Sequence, residues 1–351
     1  MKLAIWVICA ITSQALAQQK LSFKEFYDIM ENSKFTYTIS ELKECVQDTA
    51  TPPLPNSIDT KAIEKQNGIE IVSYKRSSES NKLLEAVEAN YKNRNNEKVR
   101  ALCIEMLGID SMDSRILTYL GETYQKDENY NEALYWYGKA LETNYYNWLT
   151  HMLLGKCYLE KAKTDSSYNE KCIKEYAIAM ILNRSVRSFE LNYQKICKEY
   201  NKSYSIWQFV PQCNIKKTKK TVYIETDKTW LGYAVAKAVR EYEPGYSTKN
   251  KADKKTVKID TSEEKEYLLN FITASAEIDS SDSQQRYFKP KANVTDPAAI
   301  TLIKAVNKRM LTEYILYEIW LPKKPILIYG LPRKSLEGLV KYVLEVCTSE
   351  D

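Results

Sequence analysis

Between about residue 80 and residue 185 the chain runs without proline, and its apolar residues recur at three- and four-residue spacing, the pattern of helices packed on helices. On either side that pattern breaks. Residues 18 to 79 hold a helix-like start at Phe23-Lys24-Glu25-Phe26-Tyr27, then Pro52, Pro53 and Pro55, then a short alternation from Ile69 to Tyr74 that predicts a strand. Beyond residue 202, Thr221 to Glu225 and the apolar run Pro325 to Tyr329 read as strands. Helices are predicted from near Trp230 past Val239, after Thr261 (a capping box with Glu264), and after Asp296, which has Pro297 at the first helical position. The chain closes on a helical stripe of Leu336, Leu339, Val340, Val343, Leu344 and Cys347, which must pack on something.

The central third repeats itself. Leu117-x2-Leu120-Gly121-x2-Tyr124 is followed by Ala133-x3-Tyr137 and Ala140, and 34 residues on from Gly121 the step recurs as His151-x2-Leu154-Gly155-x2-Tyr158. The second helix of that copy carries Cys172-x3-Tyr176 and Ala179, after a Thr164-Asp165-Ser166-Ser167 insertion. Upstream, Val99-x3-Cys103-x2-Met106 keeps the step, while Leu84, Val87, Glu88 and Tyr91 stand one residue out of phase. Gly121 and Ala133 fit the closest crossing of two helices; Tyr124, Tyr137 and Leu120 fit the space opening away from it.

These residues resemble a tetratricopeptide repeat, over about residues 80–200. The predicted fold is therefore mainly α, a helical hairpin array (an α-solenoid) followed by a helical α+β domain with a small sheet. The expected segments are a signal peptide at 1–17, a lead-in region at 18–79, hairpins at 80–113, 114–147 and 148–186, a capping helix at 187–201, and a C-terminal domain at 203–351.

By the positions such repeats use, the resemblance implies a groove for a protein or peptide lined by Arg115, Thr118, Glu122 and Gln125 from one hairpin and by Leu149, Met152, Lys156 and Leu159 from the next. Glu85 and Leu149 stand where carboxylate-clamping members of the family carry lysines, so a C-terminal carboxylate is not the expected ligand.

The amino terminus changes the expected compartment. Lys2, the apolar run Leu3 to Ile11 and the small residues Ala15 and Ala17 form the pattern of a cleaved secretory leader, with Gln18 as the first mature residue. An exported protein of a bacterial periplasm, or a secreted one, is the expectation, with no integral membrane segment after cleavage. Seven cysteines would then remain, from Cys45 to Cys347, an odd number that leaves at least one unpaired.

The formal charge of +5, from 51 basic and 46 acidic residues, does not mark a nucleic-acid binder. His151 is the single histidine and occupies a packing slot of the repeat, which disfavours Ser-His-Asp, Cys-His and zinc chemistry. Ser262-x-x-Lys265 resembles the nucleophile motif of penicillin-interacting enzymes, but Lys228-Thr229-Trp230 lacks the required glycine and precedes the serine. Only nine glycines are present, and they assemble neither a P-loop nor a dinucleotide fingerprint. The expected function is a non-catalytic adaptor without cofactor or metal. The rivals are an envelope-associated hydrolase in the C-terminal domain, with the repeats as its docking arm, and an oligomeric structural component of the envelope.

Overall fold

The computed structural model describes residues 20–47, 60–65, 68–184, 186–246, 261–279 and 287–350. In chain order come α1 (Phe23–Glu31), β1 (Thr36–Glu41), and the hairpin of β2 (Thr60–Lys65) and β3 (Gly68–Ser73). A run of helices follows: α2 (Ser78–Lys92), α3 (Asn96–Ile109), α4 (Ser114–Lys126), α5 (Tyr130–Thr143), α6 (Trp148–Ala162), α7 (Asn169–Leu182) and α8 (Arg187–Glu199). Then come β4 (Lys202–Tyr204), β5 (Cys213–Lys217), β6 (Thr221–Thr226), α9 (Leu231–Tyr242), α10 (Ser262–Ser275), β7 (Ala276–Asp279), β8 (Tyr287–Pro290) and α11 (Pro297–Asn307). The chain ends with α12 (Leu311–Tyr314), a π-helical turn (Ile315–Trp320), α13 (Leu321–Lys323), a 3-10 turn (Pro325–Gly330), α14 (Arg333–Tyr342), a second π-helical turn (Val343–Cys347) and β9 (Thr348–Glu350). The protein is mainly helical with small sheets.

Two compact units divide the chain, and neither is continuous: residues 1–50 with 207–315, and residues 51–206 with 316–351. The sequence segments ran consecutively; in the structure the last stretch of chain groups with the helical row. Its closing stripe supplies the reason, since α14 and the second π-helical turn pack on α7.

In the second unit each helix from α2 to α7 packs on its successor. The turns are short because they are capped. Asn95, Asp113, Asn129 and Asn147 accept backbone N–H bonds at the starts of α3, α4, α5 and α6, each cap contributing about 1 kcal/mol. Gly121 lies where a Cβ would stand 2.4 Å from the Tyr137 ring, and one at Gly155 would stand 2.8 Å from Tyr176. These two glycines let α4 meet α5 and α6 meet α7 at the spacing the sequence implies.

Covered by α14, helix α7 buries every residue from Tyr176 to Leu182. Beyond its end lies a buried polar cluster. Arg184 pairs with Glu190 at 2.7 Å and with Glu318 at 3.6 Å, and its guanidinium sits 4.4 Å from the centre of the Tyr317 ring. Tyr342 donates to Glu318 at 2.9 Å, and the Tyr204 and Tyr317 hydroxyls lie 2.9 Å apart. Burial pushes the Glu318 carboxyl up to about 7, against the opposing pull of Arg184.

The first unit contains a mixed sheet ordered β1–β6–β5, with β1 parallel and β5 antiparallel to β6. Val222, Ile224 and Thr226 point to its buried face, over which α9 lies. A Cβ on Gly232 would fall 2.0 Å from the Asn270 carbonyl oxygen, so α9 and α10 meet backbone to backbone there. Trp230 stacks on Phe271 at 4.2 Å and donates its indole N–H to Asp296 at 2.7 Å. Arg240 holds Glu266 through two bonds of 2.7 and 2.8 Å, charge neutralised by charge inside the core.

Several expected elements are present: the strands at Ile69 and Thr221, the helices after Trp230 and Asp296, and the Asp296 cap on Ala298. Two details differ. Pro325 to Tyr329 is a 3-10 turn, not a strand, with Ile328 and Tyr329 turned inward and Ile326 outward; a short apolar run does not by itself choose between these states. Thr261 precedes a helix but makes no side-chain cap, because its ψ of 6° departs from the extended conformation a capping oxygen needs. The proposed leader, residues 1–17, lies outside the described residues.

Candidate protein-binding surface

The four groove positions on α4 are engaged by neighbouring helices. Arg115 pairs with Glu88 of α2 and lies over Tyr119. Thr118 is buried, donating to the Ser114 carbonyl at 2.8 Å and sharing a 2.9 Å contact with Thr150 of α6. Glu122 accepts from the Tyr91 hydroxyl; burial raises its pKa, against that hydrogen bond and the charges of Lys126 and Lys156. Gln125 accepts from Tyr137 at 2.7 Å, and Lys126 sits 3.4 Å over the Tyr91 ring.

On α6 the picture is more open. Leu149 packs against the core shared by α5 and α6, Met152 and Leu159 are half-buried, and Lys156 is exposed. Thus α4 contributes mainly internal glue to this face, and α6 contributes its accessible apolar atoms. The partners of Arg115 and Glu122 sit on α2, about one repeat earlier, and nothing in a linear pattern pairs them.

The repeat positions Leu120, Gly121, Ala133, Tyr137, Ala140, Leu154, Gly155, Tyr176 and Ala179 are buried, and Tyr124 and Tyr158 half-buried. His151 is buried too, bridging Glu175 at 2.6 Å and the Tyr145 carbonyl at 2.8 Å. Its neighbours are structural: Tyr145 packs edge-on against its ring at 4.9 Å. Burial pushes the thiols of Cys103 and Cys157 up to about 12, which suppresses thiolate reactivity. Among the described residues no group of His, Cys, Asp and Glu is placed to hold a metal ion, and no helix is long and apolar enough to cross a membrane.

The opposite, second-helix side carries surface that the sequence reading missed. Leu107, Met112, Leu117, Tyr135 and Trp136 line a cleft of about 290 Å³ between α3 and α5. Glu142 and Thr143 form one end of it and also border a second cleft of about 400 Å³, lined further by Gly138, Tyr145 and Arg333. Ile104, Met112 and Tyr135 are 52%, 46% and 54% exposed, a high share for large apolar side chains. A signal was available, since Ile104 and Tyr135 fall outside the hairpin's inward spacing.

The described residues thus form a row of capped helical pairs with apolar clefts on its flank. The family model described as Nup85 Nucleoporin matches residues 67–210, a span that holds α2 through α8. No curated protein matches the chain.

That family match corrects two expectations. The helical repeats are similar to the Nup85 nucleoporin family and not to tetratricopeptide repeats. The reason is physical: small residues at a helix crossing with aromatics beside it describe any tight helical hairpin, so the spacing identified the packing and not the family. The exported location, periplasmic or secreted, is overturned by the same match. A lysine followed by a short apolar run is a brief pattern, whereas the match runs through the whole helical row. The envelope setting assumed by both rival functions falls with it.

Proposed function

We propose that this chain is a non-catalytic scaffold of the nuclear pore, a short α-solenoid that binds other proteins along the row α2–α8. The observation that carries the reading is the coincidence of the nucleoporin match with that row. Stacked helical pairs make an extended surface of many shallow contacts, suited to holding proteins and ill suited to enclosing a small substrate. The buried His151 and the unreactive buried thiols agree with a role in which no side chain performs chemistry.

A fluorescent fusion of the full chain, expressed in the cells it comes from, tests this. The expected result is a punctate nuclear rim that is lost when residues 67–210 are deleted. Diffuse fluorescence from the intact fusion, or recovery from the medium, would remove the reading.

A further inference from the structure

The outer faces of α5 and α7 differ in what lies on them. On α7 lies α14, which turns Leu336, Leu339 and Val340 inward and leaves Arg333, Lys334 and Lys341, with Glu337 between them, on its outer side: an amphipathic helix with a net basic outer face. It lies on α7 tightly enough to bury that helix on every side from Tyr176 onward. Arg333, at the start of α14, borders the cleft beside Gly138. On α3 and α5 nothing comparable, among the described residues, lies over Ile104, Met112 and Tyr135.

Glycines mark the same contrast. Gly121 and Gly155 are required by the rings opposite them, but a Cβ on Gly108 or Gly138 would meet nothing within 4 Å. Glycine weakens a helix relative to alanine. Two glycines with no internal neighbour to accommodate, one on each outer helix, leave bare backbone that a second helix can approach closely.

Charge selects the occupant. Exposed positions of α3 and α5 carry Glu97, Glu105 and Glu132 against Lys98; Lys139 and Glu142, which both line the cleft, neutralise each other at 2.9 Å, and Asp110 accepts from the Tyr74 hydroxyl. Arg100 is engaged by Asp127, and Asp113 by Arg76. The rim is therefore acidic on a chain whose formal charge is +5.

We propose that the outer face of α3 and α5 seats a basic amphipathic helix of a partner protein, continuing the layer that α14 begins on α7. This rests on the scaffold reading and gives the partner of that scaffold a chemistry. The apolar stripe of the incoming helix enters the cleft at Met112, Tyr135 and Trp136, as helix-in-groove recognition requires. Its lysines and arginines meet Glu105 and Glu132, which sets orientation and excludes acidic helices.

Fluorescence anisotropy on the full chain tests this with labelled helical peptides: one basic and amphipathic, one with the same apolar stripe and acidic flanks, and one basic with the stripe scrambled. The first should bind, and the other two should bind about tenfold more weakly or worse, a difference of about 1.4 kcal/mol. Tyr135→Asp, at an exposed position, should keep the melting temperature and weaken the first peptide by at least that factor. Glu105→Lys with Glu132→Lys should invert the preference between basic and acidic flanks. Equal binding of all peptides, no binding of the first, or binding indifferent to Tyr135→Asp would each overturn the proposal. A chain that loses this binding but still reaches the nuclear rim separates failure of this surface from failure of the scaffold reading.

Discussion

The pairs α4–α5 and α6–α7 follow one plan, with a glycine on the first helix under a tyrosine ring of the second, yet their outer faces have different fates. Helix α7 is covered by α14, and α5 is left with Tyr135 in solvent. The crossing inside each pair is set by residues close in sequence and repeats faithfully. What covers a pair comes from far along the chain, or from outside it. Local packing and surface occupancy are therefore separate properties of the same row of helices.

The largest break in this comparison comes at the cluster that joins the cover to the row. Arg184→Met leaves Glu190 buried without its counter-charge, and should cost about 3–5 kcal/mol in chemical denaturation. The equivalent change at Arg100, a partly exposed ion pair, should cost under about 1 kcal/mol.

Gly121→Leu drives side chain into the Tyr137 ring and should destabilise by roughly 3 kcal/mol, read as a lower denaturation midpoint. Gly155→Leu should act in the same direction, since Tyr176 stands over it. A neutral outcome at either glycine would remove the shared plan.

Proton linkage sharpens the covered side. The Glu318 carboxyl lies at about 7 in the folded chain against an ordinary 4.5, so between those values the folded state holds a proton that the unfolded chain has released. Stability is fully present below about 4.5 and falls as pH rises through about 7, by about 3 kcal/mol. Glu318→Gln should flatten that slope in urea titrations run across this range.

The smallest effects belong to the open side. Gly108→Ala and Gly138→Ala meet no neighbour and should stabilise by about 0.4–1 kcal/mol each, measured by thermal unfolding of the isolated chain. Their sign is opposite to that of Gly121, although all four glycines lie in helices.

Much of this was legible in the sequence where cause and consequence are neighbours. Gly121 and Tyr137, the Asp296 cap with Pro297, and the stripe from Leu336 all follow from spacing within one or two turns or one hairpin. The parallel pairing of β1 with β6, which sets Thr36 opposite Thr221, joins segments too distant for any local pattern to report. The groove was half legible for a related reason: its positions lie on the expected helices, but Glu88 and Tyr91 occupy Arg115 and Glu122 from the preceding repeat. The repeat motif identified a mode of helix packing that unrelated families share, so it misled on family, and the apolar start misled on location.

The central claim, a helical row that serves as a pore scaffold, is tested most directly by purifying the tagged full chain at native salt and weighing its complexes by mass spectrometry. The account predicts a fixed-stoichiometry assembly with other pore proteins that disappears when α2–α8 are deleted. Recovery of the intact, folded chain as a monomer alone would contradict it.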